Sequence, residues 1–577
     1  MHPSLAKTIM DQLSEKIDGL QMGCGKKVYV CMLRGSDETG SGTQEQPFGT
    51  LAHAVELYFD KAEEKLPEDV CFILRKTDED GFQDAPKAAL KKAISTVEVQ
   101  LKKARKAVEN KGKGKEKKVE TDEQSYVTLE EDSSLPTAQK IRIRDGENFR
   151  GKRVMVQGWV HRMRMQGRKM IFLTVRDGTG FLQCVLADEM ARSADVPCLT
   201  IESTVALYGQ LVPVLEGKTA PGGHELQVDY WRLVHAAPSG MDAFETKLNK
   251  EANPDVLFDQ RHLVLRGETA SALLKLRSIF LQAFRAHYAK HNYSELTPPC
   301  MTQTQCEGGA TLFKLDYYGE PAYLTQSSQL YLETAIPSLG DVYCVQMSFR
   351  AEASRTRRHL SEFTHIEAEC PFITYDELLE RLESLVCDVI QYVLADPYAG
   401  PLVRELNPDL VVPQRPFRRM EYGDAIAWLA EHNVLKDDGT AYEHGDDIPE
   451  RPERFMVDSI GEPIFLCRFP AAMKAFYMER DPKDRSLTLS TDLLMPGVGE
   501  IVGGSMRIWD FDELMAGYAR EGIDPSAYYW YTDQRKYGSC PHGGYGLGFE
   551  RFLAWALRRD HVREVCLYPR YVKRCAP

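Results

Sequence analysis

The chain has 577 residues, 43% hydrophobic and 10% aromatic, which is too long for one compact core and apolar enough to fold over most of its length, so three or four domains are expected. A formal net charge of −13 excludes wholesale nucleic-acid binding through the global field and leaves only local basic patches to meet a polyanion. The fourteen cysteines are scattered with no CxxC pair, which argues against a cysteine–zinc site or a disulfide framework and for reduced thiols.

The first residues, MHPSLAKTIMDQLSEKIDGL, are amphipathic and lack a hydrophobic signal core. No later apolar run approaches bilayer-spanning length, so a cytoplasmic chain with no membrane contact is expected. VYVCML, RGSDETGSGTQEQPFGT and LAHAVELYF read as strand, glycine-rich loop and helix. The loop lacks the GK[ST] ending of a phosphate-cradling loop and reads as a long turn. These elements are expected to form a small α/β unit over residues 1–86. Lysines then accumulate from Lys87 to Lys118, a charged helix fraying into a linker that reaches residue 134.

Five short segments come next: VMVQGWVHRMR, MIFLTVRDG, GFLQCVLAD, TVALYGQLV and HELQVDYWRLV. Their alternating apolar positions and glycine-rich turns predict an OB-fold barrel over residues 135–240. Residues 241–577 open on the connector NPDVLFDQRHLVLR, the amphipathic helix SALLKLRSIFLQAFRAHYAKHN and the short strand YSELTPP. Strands with charged motifs then alternate with helices. In DELLERLESLVCDVIQYVLA, Leu378, Leu382, Leu385, Val389 and Val393 recur at helical spacing, a stripe that faces a core.

The chemistry concentrates in FRAEASRTRRHLSEFTHIEAE, from Phe349 to Glu369. Its loop carries Arg350, Arg355, Arg357, Arg358 and His359, like charges that would repel one another on a packed surface and are expected to face a polyanion such as a triphosphate. Near the C-terminus stands GLGFER, from Gly546 to Arg551. The first segment resembles motif 2 of class II aminoacyl-tRNA synthetases, and the second resembles motif 3. The helix, short strand and Pro298 before them resemble motif 1. From Leu135 to Pro577, and more loosely before that, the chain resembles the aspartyl/asparaginyl/lysyl subclass, with wording similar to its asparaginyl members from eukaryotic cytoplasm.

That resemblance implies an α+β chain: a mostly antiparallel class II sheet flanked by helices, preceded by the OB-fold barrel and the small α/β N-terminal extension. It implies ATP and Mg2+ as cofactors, L-asparagine and tRNA(Asn) as partners, and a homodimer formed through the motif that contains Pro298. The reaction would be ATP-dependent activation of asparagine to its adenylate and transfer to tRNA. Such a reaction needs no protein nucleophile, so alignment and neutralisation of phosphate charge carry the catalysis.

By position, Arg350 and Arg551 match the family's catalytic arginines, on the α-phosphate and γ-phosphate respectively. Arg358, His359 and Leu360 fall in the motif 2 loop, and Phe363 matches the aromatic that stacks on adenine. Glu352, Gly548, Phe549 and Glu550 complete the ATP side, with the glycines allowing close backbone approach. Asp492 and Glu500, in STDLLMPGVGEIVGG, match the metal-binding pair. Glu307, Gln329, Gly503 and Arg507 match the amino-acid site, with Arg350 and Glu352 shared. Glu352 is assigned to the asparagine amide, to adenine or to Arg350. Leu332 stands where related aspartyl enzymes carry a lysine, which favours a neutral carboxamide substrate. In the barrel, Phe172 and Gln183 match the residues that stack on and hydrogen-bond to an anticodon base, with His161, Arg162, Arg164, Arg168 and Lys169 as a basic rim. An aspartyl-tRNA synthetase and a non-catalytic RNA-binding or signalling paralogue are the alternatives.

Overall fold

The computed structural model describes residues 26–31, 36, 39–59, 66–67, 70–75, 82–87, 89–91, 93–95 and 97, and residues 126–576 except 168, 249–253, 307–311 and 354–355. Two compact units divide at Val127/Thr128. In the first, β1 (Lys26–Cys31) pairs in parallel with β2 (Val70–Arg75), and β3 (Gln83–Asp84) adds antiparallel. The helix Leu51–Tyr58 starts at Thr50, whose hydroxyl accepts from the His53 amide, a standard N-cap. Leu90, Ala93, Ile94 and Val97 pack into this unit's core. The helical residues from 87 to 97 therefore belong to the unit, where the lysine count alone places the start of a linker. Their apolar positions recur every three to four residues, and that stripe outweighs the surrounding charge. The remaining lysines of that run lie outside the described residues. Twelve cysteines are free. Cys71 is disulfide-bonded, which corrects the expectation of reduced thiols at that position.

The second unit begins with the barrel. Its strands are β4 (Gln139–Lys140), β5 (Arg153–Gln166), β6 (Met170–Arg176), β7 (Phe181–Ala187), β8 (Thr204–Pro213) and β9 (His224–His235). They run in the order β4-β5-β6-β7-β9-β8, and a further β5–β8 ladder closes the five long strands into a barrel. Strict alternation puts Ile171, Leu173, Val175, Leu182, Cys184 and Leu186 inside, so Phe172 and Gln183 are half-buried on the outer surface.

Two acids fix the barrel to the helical segment after it. Glu268, in the first turn of the helix Glu268–Lys290, accepts from Arg162 at 2.6 Å and lies 2.8 Å from His161 Nε2. Glu202 accepts from Arg176 at 2.7 Å and Arg266 at 2.6 Å. The Glu202 carboxylate is buried, so that cluster is firmer than an ordinary surface pair.

The catalytic part is an eight-stranded sheet in the order β10-β14-β15-β20-β19-β18-β17-β16. Its members are β10 (Ser294–Glu295), β14 (Val342–Phe349), β15 (Glu362–Pro371), β16 (Arg418–Glu421), β17 (Ile464–Cys467), β18 (Ser490–Met495), β19 (Gly499–Met506) and β20 (His542–Gly548). Only the outermost pairs, β10–β14 and β16–β17, are parallel. A separate small sheet holds β11 (Met301–Thr302), β12 (Lys314–Tyr317) and β13 (Glu320–Leu324). The helix Tyr375–Ala395 begins in a capping box formed by Thr374 and Glu377. Its predicted stripe of Leu378, Leu382, Leu385, Val389 and Val393 is fully buried in the main core, where the helix Glu268–Lys290 also packs.

Because Leu382 has no exposed surface, Leu382→Ala should cost about 2–5 kcal/mol through lost burial and a cavity. An unchanged urea midpoint for the second unit would contradict this placement.

Candidate active site

The central strands of the sheet line a cavity of about 340 Å³. β14 and β15 lead into and out of the arginine loop, and β20 runs antiparallel to β15 with His365, Glu367 and Glu369 opposite Gly548, Gly546 and Gly544. The glycines make room. A side chain on Gly546 would collide with the His365 ring, and one on Gly544 with the Glu369 carboxylate. Gly546 therefore serves the packing of β15 and also lines the cavity. Gly548 lines the cavity and has only the Arg551 side chain near its missing Cβ.

At one end of the cavity, Arg350 lays its guanidinium over the Phe363 ring, 5.3 Å from the centroid. Arg551 donates to the Glu500 carboxylate at 2.8 Å and also to the Arg358 carbonyl at 3.3 Å. Arg358 in turn donates to Glu453 at 2.8 Å, and the same Glu453 oxygen accepts from the Glu500 amide at 3.0 Å. His359 Nδ1 lies 2.6 Å from the Thr356 hydroxyl and its Nε2 lies 3.6 Å from Glu352. Burial and the Arg551 charge push the His359 pKa down, so the ring is neutral at pH 7.

Asp492 and Glu500 sit on adjacent strands across a register shift in β18–β19. Gly503 lies between them: a Cβ there would stand 3.6 Å from an oxygen of each, in ordinary contact. Lys474 donates to Asp492 at 3.0 Å. Burial raises the Asp492 pKa against that lysine. Burial also works to raise Glu500, but Arg551, Arg358 and Lys474 outweigh it and hold the group at about 2. Two ionisable acids beside a third, Glu453, form a hard-oxygen donor set suited to Mg2+.

The other end of the cavity is lined by Ser327, Gln329, His365, Glu367, Tyr477, Gly503 and Arg507. Beneath it lie buried ion pairs. Arg507 donates to Glu369 at 2.5 Å and to the Ser505 hydroxyl at 2.6 Å. Glu333 accepts from Arg535 at 2.6 Å, Tyr531 at 2.9 Å and Gln329 at 3.0 Å, and lies 2.9 Å from His542 Nε2. Burial raises Glu333, but Arg535 and His542 overcome it and keep the group ionised.

Of the residues expected from the sequence, Arg350, Glu352, Arg358, His359, Leu360, Phe363, Gln329, Asp492, Glu500, Gly503, Arg507, Gly548, Glu550 and Arg551 all line this one cavity. Three expectations change. Phe549 is fully buried and meets Phe284 edge-on in the core, because the first turn of its helix points that side chain beneath the sheet. Glu550 reaches the cavity wall, but its carboxylate accepts from Arg277 at 2.8 Å and the Thr364 amide at 3.0 Å, which ties motif 3 to its neighbours. Leu332 is fully buried among Ile336, Val342 and Cys344 and is not part of the lining, so it does not itself face a substrate side chain. Glu307 lies outside the described residues. Pro298 is buried just past β10, and its carbonyl accepts from Gln346 at 3.3 Å.

On the barrel, Arg164 pairs with Phe172 across β5–β6, and its guanidinium stands 4.9 Å from the ring centroid. Thr174 and Gln183 form the next cross-strand pair, and Gln183 donates to Glu225 at 2.8 Å. Arg164 and Lys169 are exposed beside them. Arg162 is committed to Glu268, and Arg168 lies outside the described residues.

Family models match three stretches: "tRNA synthetases class II (D, K and N)" over residues 253–572, an OB-fold nucleic acid binding domain over 154–234, and "Asparaginal-tRNA synthetase, N-terminal domain" over 43–136. The chain is 53% identical over 560 residues to the cytoplasmic asparagine–tRNA ligase of Bos taurus, covering 96% of this chain and 97% of that one. It is 52% identical to the Saccharomyces cerevisiae enzyme of the same name, covering 95% and 100%. The chain belongs to the asparagine–tRNA ligases of class II. Among solved structures, the Entamoeba histolytica asparaginyl-tRNA synthetase in complex with asparaginyl-adenylate matches with a TM-score of 0.72 at 47% identity, covering 77% of this chain and all of that one. The Pyrococcus horikoshii enzyme complexed with asparaginyl-adenylate matches with a TM-score of 0.70 at 37% identity, covering 76% and 100%.

Several lining residues have no counterpart among the sequence expectations: His365, Glu367, Lys474 and Tyr477. His365, Glu367 and Glu369 alternate with Ile366 and Ala368 at the strand period of two, a signal that could have found them. Lys474 and Tyr477 come from an irregular stretch with no comparable pattern.

Burial pushes Glu453 up to about 7 against Arg358, with Glu500 adding like charge. The folded protein then holds more protons than the unfolded chain between pH 4.5 and about 7, so this group's contribution makes stability fall as pH rises through that window. Glu453→Gln cannot ionise and keeps an acceptor for Arg358. Its stability relative to the unsubstituted protein should rise steadily from about pH 5 to 7.5. Urea midpoints that differ by a constant amount across that range would refute the shift.

Proposed function

We propose that this cavity binds ATP and L-asparagine side by side and forms asparaginyl-adenylate, which is then transferred to the terminal ribose of tRNA(Asn). The asparagine carboxylate attacks the α-phosphorus, a new P–O bond forms, and the bond to pyrophosphate breaks. The observation that carries this reading is the convergence of Arg350, Arg358 and Arg551 with the Asp492/Glu500 pair in one cavity. Arg350, set on Phe363, bridges the α-phosphate and the substrate carboxylate, and Arg551 and Arg358 take the outer phosphates. The free face of Phe363 suits a flat adenine through base stacking. Asp492 and Glu500 would hold Mg2+, which supplies charge neutralisation on the phosphates when bound.

Gln329 and Glu367 stand where a substrate ammonium can be met. Arg507 faces the substrate side chain and donates to its carbonyl oxygen. The charge balance supports asparagine over aspartate. Arg535 is matched by the ionised Glu333 and Arg507 is paired with Glu369, whose carboxyl burial pushes up to about 7, so the buried cations beneath the pocket are largely matched and a second substrate carboxylate would find little free counter-charge. These paired charges take the role that the sequence expectation gives to Leu332. The names of the relatives support the cytoplasm as the site of action, and among the described residues no helix is long and apolar enough to cross a membrane. Homodimer formation fits β10, a two-residue edge strand paired only with β14 among the described strands, next to Pro298.

Amino-acid-dependent pyrophosphate exchange over all twenty substrates tests the reaction. Asparagine should dominate, with aspartate lower by on the order of 10⁴-fold. Comparable exchange with both would defeat the charge-balance reading. Arg350→Ala and Arg551→Ala should each lower exchange by about 10²–10³-fold while the fold is retained, since each removes a charge-assisted contact to developing phosphate charge. Near-normal exchange in either would remove that arginine from the site. Phe172→Ala should weaken tRNA charging by about 1–3 kcal/mol and leave adenylate formation intact. Its outward placement predicts that the variant folds normally, and an equal loss in both assays would rule out an anticodon role.

A further inference from the structure

Away from the cavity, two helices of the main core bring together three side chains with metal-ligating atoms. His287 is in the last turn of the helix Glu268–Lys290, His291 is its C-cap four residues on, and Asp388 projects from the helix Tyr375–Ala395 packed alongside. His287 Nδ1 lies 3.0 Å from Asp388 Oδ2, His291 Nε2 lies 3.5 Å from the same oxygen, and the three ligand atoms all fall within 4.8 Å of one another. Tetrahedral zinc with bonds near 2.1 Å holds its ligand atoms roughly 3.4 Å apart. These two separations bracket that value and the third is at most 4.8 Å, so an ion could enter once the two imidazoles close together by at most roughly 1.4 Å.

Three further features fit. The i, i+4 spacing turns both imidazoles to one face of the helix, and the rings lie with centroids 4.5 Å apart. His287 is buried with its Nδ1 turned toward Asp388, so a ring nitrogen already faces the point where the three side chains meet. His291 and Asp388 remain partly open to solvent, which leaves an entry path and room for a water as fourth ligand. The competing occupant is Lys290, whose ammonium lies 3.1 Å from the same Asp388 oxygen. Its side chain is mostly exposed, so it can swing into water when a cation arrives.

We infer that His287, His291 and Asp388 form a binding site for a divalent transition-metal ion of the zinc type, separate from the Mg2+ site proposed in the cavity. Two imidazoles and one carboxylate select such an ion over Mg2+ or Ca2+, which want oxygen ligands. The ion would clamp the end of the motif 1 helix to its neighbour and thereby stabilise the folded state.

The test uses the full-length protein with its exposed thiols Cys198 and Cys575 replaced by serine, stripped with chelator and titrated with Zn2+, with Co2+ as a spectroscopic probe. One Zn2+ per chain should bind and raise the melting temperature, and Co2+ should give the absorption of a tetrahedral nitrogen/oxygen site. His291→Ala, at a solvent-facing position that tolerates truncation, and Asp388→Asn should each weaken Zn2+ binding at least 10²-fold. Lys290→Ala should tighten it several-fold by removing the competing charge. If the parent protein takes up no stoichiometric Zn2+, or if binding is unchanged in both His291→Ala and Asp388→Asn, the site does not exist. A Lys290→Ala variant that binds more weakly than the parent would equally overturn the arrangement, because it would make the lysine a support and not a rival.

Discussion

A site built for a polyanion must keep several cations close together when the polyanion is absent, and this structure does so by giving each cation an acid. Arg551 rests on Glu500, Arg358 on Glu453, Arg507 on Glu369 and Arg535 on Glu333. Each pair lies partly or fully out of water, where removal of one partner leaves a stranded charge that costs about 3–5 kcal/mol. The acids therefore hold the arginines in fixed positions before any substrate binds, and pre-positioned charge is what phosphoryl chemistry without a protein nucleophile requires. An incoming triphosphate does not have to gather mobile side chains; it exchanges one set of anionic partners for another.

The backbone geometry around the site arises from the same need. Long polar side chains on β15 can lie within the sheet only if the neighbouring strand gives them space, and β20 does so by placing glycine at 543, 544, 546 and 548. Alanine at 544 or 546 would press into Glu369 or His365. The glycine-rich wording of motif 3 is in this respect a packing requirement of motif 2. Glu550 secures the arrangement from the other side, accepting from the β15 backbone at Thr364 and from Arg277 on the motif 1 helix. The three motifs thus meet at a single carboxylate.

Much of this is legible in the sequence where one local pattern decides the outcome. Period-two alternation locates the barrel strands to within a few residues and is consistent with Phe172 and Gln183 on the outer face. The stripe Leu378 to Val393 defines its helix because both its spacing and its capping box are local. Contacts that depend on tertiary placement are not legible. Arg535 and His542 stand about two hundred residues from Glu333 in the chain and share no local signal with it. Leu332 draws a functional role from its position beside Gln329, yet the helix directs Gln329 and Glu333 to a shared polar network and packs Leu332 among apolar neighbours. Glu550 looks like a ligand because it adjoins Arg551, and only the approach of Arg277 shows that its charge is already used.

The helix Glu268–Lys290 connects these local facts to the larger task. Glu268 in its first turn holds Arg162 and His161 of β5, and Arg164, two residues further along that strand, lies over Phe172. Nine residues along the helix from Glu268, Arg277 grips Glu550 beside the cavity. At 1.5 Å per residue the two anchor points are roughly 14 Å apart along a rigid rod. On the proposed reading, a tRNA that presents its anticodon to the barrel and its acceptor end to the adenylate meets two surfaces joined by this helix and the ion pairs at its two anchor points. On that reading, the helix fixes the spacing against which a bound tRNA is measured, and no change of shape has to pass along it. A two-state signal would require an element with two packed arrangements. The acid-centred anchors at both ends of this helix favour one.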